Sequence, residues 1–536
     1  MTGAMHESRG RQAAAMGGRT LAFLGVGAAL LVAGWLAQPR FTPPRVPPQA
    51  ERVLFPELSD AAKAGSLEIL SFDDELATLT PFKVAQAGGV WVLPAHENYP
   101  ADAKEQLAAA ATELVDLEAI AVASDKPGDH EIYGVIEPDA EKIKVGMTGV
   151  GRLVEIRDAS GNRLARLVIG KEAKRSGPAA APGGRTLRYV RKAGQDPVYI
   201  VEIDTSKFTT KFDDWIEKDL LKLSPWDVRR VVIDDSTCTF GIDETTGRPL
   251  VSQERRGLFD LGYDDKSAAW TVGKLEGFDK ANKPKEAPLG DEEELASGNL
   301  NALRDALGDL KIIDVARKPA GLSGELRAEK TFMDDREAVL SLAQRGFYPF
   351  ASGDLLASNG ETVVGMKDGV EYVLRFGNGT TVAGGESPPA DRGPDAKGEA
   401  DAEVTGRYLL VMARFNETLL EKPALDPLPD APADAAAGGE KKPDAEGDAA
   451  TDLAKADADE AQAQAAIEER RRVERENRRK QEEYDEKVKA AQKRVRELNG
   501  RFADWYYVVS DGEYAKIHLD RAGIVQRKQA TDATPE

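Results

Sequence analysis

The chain has 536 residues, with 92 acidic against 72 basic side chains and a formal charge of -20. That length exceeds one ordinary core and implies several domains, while the acidity disfavours nucleic acid and anionic lipid surfaces as partners. Cys238 is the only cysteine, which excludes an intrachain disulfide and a thiolate metal cluster; the histidines, His6, His96, His130 and His518, show no spacing that would set two imidazoles on one helix face.

Residues 1–19 carry Arg9, Arg11 and Arg19 against Glu7, and Leu21 to Ala37 then runs without a charge as far as Arg40. At 1.5 Å per residue the run covers roughly 26 Å, near the lower limit for a bilayer core. The reading is a single transmembrane helix over 20–38 with a cytoplasmic tail, the bulk of the chain lying extracytoplasmic on the far side of the inner membrane. A cleaved signal peptide is the competing reading. Its best junction follows Ala37, where Trp35 occupies a position that wants a small residue. The prolines of 39–50, with FTPPRVPPQA from Phe41 to Ala50, read as an extended spacer.

Beyond it, SLEILSF, ATLTPFKVAQ and GVWVLP read as strands, with Gly88-Gly89 as a turn, and 100–117 reads as a helix opening at Pro100. GRLVEIRD with RLARLVIG, and TLRYVRK with PVYIVEI, have hairpin turns at Ser160-Gly161-Asn162 and Gly194-Gln195-Asp196. The apolar stripe of Phe212, Trp215, Ile216 and Leu220 predicts a helix over 211–223, and VRRVVID returns to a sheet. The pattern then recurs. SAAWTVGKLEG resembles GGVWVLPAHEN, a helix at 300–310 leads into LKIIDVA as the first leads into LEAIAVA, and ETVVGMKDGVEYVLRFGN repeats a hairpin around Asp368-Gly369. The fold class is therefore α+β, with an N-terminal transmembrane helix, two related modules with antiparallel sheets at 51–235 and 236–420, and a long C-terminal charged helix or coiled coil.

Leu54-Phe55-Pro56-Glu57-Leu58, the Val90-Trp91-Val92-Leu93 strand, and LVIGK followed by RYVRK and VYIV resemble the family called domain of unknown function 4340. The resemblance covers mainly 51–235 and more weakly the second module. It implies an extracytoplasmic accessory protein, because some members resemble, or are encoded with, auxiliary components of gliding-motility-type ABC transporters. It carries no established catalytic residues.

Residues 383–403 and 421–460 have almost no large apolar side chains and read as a disordered loop and linker. Between them RYLLVMARFNETLL reads as a strand closing the second module. From 461 to 505 the composition predicts a long helix, charged all round at Glu468 to Lys480. Tyr484, Val488, Ala491, Val495, Leu498, Phe502 and Trp505 then form a heptad seam that must be covered. Docking on the second module is favoured, with a homodimer as the alternative. Residues 506–536 read as strands, DWYYVVS and YAKIHL, and a tail.

No catalytic, cofactor-binding or metal-ligating residue is assigned. Acidic doublets at Asp73-Asp74, Asp213-Asp214, Asp234-Asp235, Asp264-Asp265 and Asp334-Asp335 fall where aspartate caps helices or makes turns, with Asp234-Asp235 the hardest to dismiss. Gly146, Gly149 and Gly151 lack the lysine and helix of a phosphate loop. Trp91, Trp215, Trp226 and Trp270 fit apolar patterns better than a sugar platform, and Arg470 to Arg472, interleaved with glutamates, fit a solvated helix face. The sequence thus points to a non-enzymatic, membrane-anchored scaffold or accessory subunit of an envelope complex beside an ABC-transporter-like permease. The alternative is an envelope enzyme or a glycan- or peptide-binding protein using an acidic cleft between the modules.

Overall fold

The structure, a computed structural model, describes residues 25–32, 45–48, 52–73, 77–142, 144, 146–173, 186–242, 249–319, 322, 332, 334–350, 354–382, 404–429 and 449–528. Residues 25–32 are helical; the rest of the expected membrane span lies outside the described residues. Among the described residues no helix is long and apolar enough to cross a membrane. Two compact units emerge, one formed by 1–89 with 104–210 and the other by 90–103 with 211–536.

In the first unit the strands are β1 (Ser66–Asp73), β2 (Thr78–Ala87), β5 (Ala121–Ser124), β6 (Arg152–Arg157), β7 (Arg163–Glu172), β8 (Thr186–Lys192) and β9 (Val198–Ile203), with helix α1 at Lys104–Thr112. They form an antiparallel sheet in the order β2-β1-β6-β7-β8-β9-β5. Both expected hairpins form, β6 with β7 and β8 with β9. Alternating side chains put Leu153, Val168 and Val198 in one cluster with Ala123 and Val135.

Two expectations are corrected in this unit. The helix is shorter than 100–117, because Pro100 pairs with Val92 in the small hairpin of β3 (Val90–Leu93) and β4 (Tyr99–Pro100). Nor is the proline-rich spacer wholly free. Arg45 exchanges backbone hydrogen bonds with Val122, at 3.1 and 2.8 Å, and so satisfies groups that the edge strand β5 would otherwise expose.

The second unit contains β10 (Val228–Ile242), β11 (Pro249–Asp264), β12 (Ala269–Phe278), β13 (Pro284–Glu286), β15 (Asp314–Arg317), β18 (Glu361–Met366), β19 (Val370–Val382), β20 (Val404–Phe415) and β21 (Trp505–Ser510). Their order is β13-β12-β11-β10-β18-β19-β20-β21-β15. Short pairs, β14 (Glu293–Leu295) with β22 (Val525–Arg527) and β16 (Phe347–Pro349) with β17 (Leu355–Ala357), lie outside this sheet. Helix α2 (Ser297–Gly308) precedes β15 as α1 precedes β5, and the run β11-β10-β18-β19-β20-β21-β15 repeats the order of the first sheet strand for strand. Helix α3 (Arg336–Gln344) is capped by Asp335, which accepts from the N–H groups of Glu337 and Ala338.

Further differences have local causes. The stripe at 211–223 makes a short 3-10 turn, Phe212–Trp215, and then an irregular path, although Trp215, Ile216, Leu220 and Leu221 are all buried. Apolar spacing predicts burial there without fixing the backbone that achieves it. The long helix α4 runs Ala449–Phe502, starting inside the expected linker, since its alanines favour the helix. YAKIHL is not a strand: most of it lies in helix α5 (Asp511–Ile517), whose N-cap Ser510 accepts from Gly512 and whose first turn carries Asp511 and Glu513. The loop at 383–403 lies outside the described residues.

Candidate functional site

Three segments of the second unit that are distant in sequence meet around Asp234-Asp235. An irregularity in the pairing of β10 with β11 falls between Asp235 and Ser236, and both carboxylates meet arginines of β11. Asp234 Oδ2 accepts from Arg255 at 2.8 Å and Asp235 Oδ1 from Arg256 Nε at 2.9 Å. Asp235 is buried, and His518, whose side chain is 4% exposed, places Nε2 3.8 Å from Asp235 Oδ1. The other imidazole nitrogen lies 3.3 Å from Thr362 Oγ1. Burial alone would raise the Asp235 carboxyl, but the imidazole of His518 and the guanidinium of Arg256 outweigh it and hold the pKa below the ordinary carboxylate value.

Helix α5 fixes the imidazole. Tyr514 stacks on His518 with centroids 5.4 Å apart, and its hydroxyl donates to Asn359 O at 3.3 Å. Arg407 lies over the Tyr514 ring at 4.2 Å and donates to Asp511 at 2.8 Å. Gly360 passes so close that a Cβ there would sit 2.5 Å from His518 Cε1. Hydroxyl, imidazole and carboxylate thus stand in the order a nucleophilic triad needs, but Thr362 is completely buried and no substrate carbonyl can approach it in this arrangement. The cluster acts as a lock that holds α5 on the sheet.

Of the remaining doublets, Asp213-Asp214 and Asp264-Asp265 are engaged in turns and ion pairs and Asp335 caps α3, while Asp74 lies outside the described residues. Lys218 lies 2.9 Å from Asp213 and 3.8 Å from Asp214, Asp264 accepts from Lys266 and Ser267, and Asp265 pairs with Arg229. Among the described residues no three His, Cys, Asp or Glu side chains converge to hold a metal. Cys238 is buried, and burial together with Asp234 pushes its thiol up to about 11, so it is not poised as a nucleophile. Gly149 and Gly151 press against the backbone of Glu131 and Gly134. Trp215 and Trp270 are core, whereas Trp226 is 70% exposed, beside the Arg304 guanidinium at 4.8 Å.

Helix α4 interrupts the connection from β20 to β21. Its seam is covered by its own sheet: Tyr484, Ala491, Leu498 and Phe502 are buried, and Asn499 exchanges hydrogen bonds with both backbone groups of Ala413 at 2.8 Å. Asn477 does the same with Asp426, also at 2.8 Å, so 421–429 runs back along the helix. On the exposed turns Arg470 pairs with Glu474 and Arg472 with Glu469, which is a solvated face with its charges offset locally.

Residues 91–324 match the model of the family described as Domain of unknown function (DUF4340). The DUF4340 region therefore begins in β3 and reaches beyond β15, further into the second unit than the motif resemblance alone implied. No curated protein and no solved structure matches the chain. Sequence reasoning found Asp234-Asp235 but not Thr362 or His518, because 283 residues separate Asp235 from His518 and no local pattern links them.

Proposed function

We propose that this DUF4340-containing chain is a non-enzymatic scaffold or accessory subunit, anchored through 20–38 with its folded units extracytoplasmic, beside an ABC-transporter-like permease of an envelope complex. The observation that carries the reading is α4. A helix of 54 residues, about 80 Å long, is inserted in a sheet connection and fastened by its last turns, while between Glu468 and Glu483 most of its charged side chains are exposed. Such an arm presents a surface to a neighbour. The uncharged run between Arg19 and Arg40 supports the anchor.

Purification of the full chain from membranes in mild detergent tests this. A stoichiometric membrane-protein companion, lost when residues 449–480 are deleted, is expected. Recovery of a bare monomer under several detergents would sink the scaffold reading. A mature N-terminus near Gln38, with release by carbonate, would sink the anchor.

A further inference from the structure

In the first unit the chain that arrives from the N-terminus is fastened along one edge of the sheet. Arg45 exchanges backbone hydrogen bonds with Val122 of β5, Ala119 N–H donates to Arg52 O at 2.8 Å, and Leu54 N–H donates to Leu117 O at 2.9 Å. Arg45 also pairs with Asp125, just past β5, at 2.9 Å. Arg45, Arg52 and Leu54 are thus strapped to the segment 117–125, and Arg45 is the first described residue held against the sheet.

What lies opposite that edge follows from chain length, and the step rests on the anchor proposed above, which ends at Gln38. Seven Cα steps separate Gln38 from Arg45, and an extended chain covers at most about 3.6 Å per residue, so Arg45 stays within about 25 Å of the end of the span. The headgroup layer takes up about 5–7 Å of that distance. The remainder is too thin for a folded domain, whose radius of gyration alone is about 13 Å at 100 residues. The bilayer, and not another layer of protein, faces this edge. Strand β2, at the other end of the order β2-β1-β6-β7-β8-β9-β5, is six strand spacings away, or roughly 29 Å.

The surface chemistry differs between the two ends in the same sense. Among the described residues of this unit from Arg45 onward, the exposed large apolar side chains are Val46, Ile120 and Ile132, at 68%, 48% and 50% exposure. Val46 follows Arg45 in the strap, and Ile120 precedes β5. Ile132 belongs to a short helix, His130–Tyr133, fastened to β5 where the Tyr133 hydroxyl donates to Ala123 O at 3.5 Å. Strand β2 instead exposes Thr78, Thr80, Lys83 and Gln86. The charges near β5, Arg45 and Lys126 against Asp125, Asp129 and Glu131, give no net attraction to anionic headgroups, which leaves apolar burial as the driving force.

We propose that the first unit rests on the bilayer by its β5 edge, with Val46, Ile120 and Ile132 entering the headgroup layer of neutral phospholipid and β2 pointing away. The strap and the six residues before it hold that edge in reach, and the three apolar side chains set the orientation.

The test uses the full chain in phosphatidylcholine vesicles. Cys238, the only cysteine, is replaced in a Cys238→Ala background, and a fluorophore is attached through Lys126→Cys or Thr80→Cys, both at exposed positions. With a nitroxide on the lipid headgroup, fluorescence is expected to be lost at 126 and retained at 80. Replacing Val46, Ile120 and Ile132 together by serine, which disturbs no buried position, is expected to restore the signal at 126 while the chain still floats with the vesicles. Equal quenching at the two positions in a chain that floats after carbonate washing would overturn this orientation and leave the anchor standing. Undiminished quenching at 126 in the triple serine variant would overturn the apolar contact. A chain that did not float would sink the anchor, and this proposal with it.

Discussion

The first and second sheets share a strand order but close one hairpin differently. Between β8 and β9 the chain turns at Gly194-Gln195-Asp196, with Gln195 N–H bonded to Lys192 O at 3.0 Å. At the corresponding place the second sheet opens between β20 and β21 to admit residues 416–504, including all of α4. Because β20 and β21 still pair, from Gly406 with Ser510 to Leu409 with Tyr507, the insertion leaves the ladder intact. A surface connection can lengthen greatly at small entropic cost when its ends remain paired. What the second sheet gains is a helix of its own covering one face.

That difference breaks most readily at the base of the helix. Phe502 is 1% exposed and meets Tyr507 edge-on at 6.1 Å. Phe502→Ala should cost about 3–5 kcal/mol. Hydrogen exchange should then quicken in β19, β20 and β21 while β7, β8 and β9 keep their protection. Equal loss in both sheets would show that α4 does not stabilise the second one selectively.

A second contrast lies after the edge strands β5 and β15. Where the first sheet places Asp125, exposed and paired with Arg45 at 2.9 Å, the second places buried, unpaired Lys318. Its folded pKa of about 8 is below the ordinary 10.5, so the charged form is penalised in the fold. The penalty is fully present below pH 8 and fades between pH 8 and about 10.5. Lys318→Met is therefore expected to stabilise the second unit by up to about 3 kcal/mol at pH 7, an advantage that disappears at the alkaline end. Denaturant titrations of both proteins at pH 7 and 10.5 measure it.

The Asp235 lock has no matching cluster described in the first sheet, and breaking it is expected to cost about 2 kcal/mol in Asp235→Asn, since Arg256 and the neighbouring His518 lose the carboxylate charge they face. The sign with pH is opposite to that of Lys318. Asp235 has a depressed folded pKa, so its stabilisation is present above the unfolded carboxylate value of 3.8 and is lost as pH falls through the folded one. Wild type and Asp235→Asn should converge in stability under acid. A gap that persisted below that pKa would mean that the carboxylate charge is not what holds α5.

How much of this was legible varied with the range of the interactions. The hairpins β6–β7 and β8–β9 could be read because alternation and turn residues are local, as was the seam from Tyr484 to Phe502. The long hairpin of β10 and β11 was harder. Asp234, Asp235, Arg255 and Arg256 interrupt the apolar pattern, and only the fold shows them meeting across the strands. At 211–223 the burial was legible but the helix was not there, because paired apolar residues at 215–216 and 220–221 serve an irregular chain equally well. Thr362, His518 and Lys318 gave no signal, since an imidazole or amine acquires its role only from partners that tertiary structure brings, or fails to bring, beside it.

The smallest expected effect returns to the two connections. Gly194 has φ +79 in the β8–β9 turn, with open space around an added Cβ. Gly194→Ala therefore introduces backbone strain and no clash, for a cost of about 1 kcal/mol. The second sheet has no such turn between β20 and β21, because that connection is held instead by the docked helix, through Asn499 on Ala413 and Phe502 in the core. A thermal transition lowered by a few degrees in the first unit alone would show that each sheet closes this hairpin by its own means. If Gly194→Ala destabilised both units equally, the two connections could not be treated as independent solutions to the same topology.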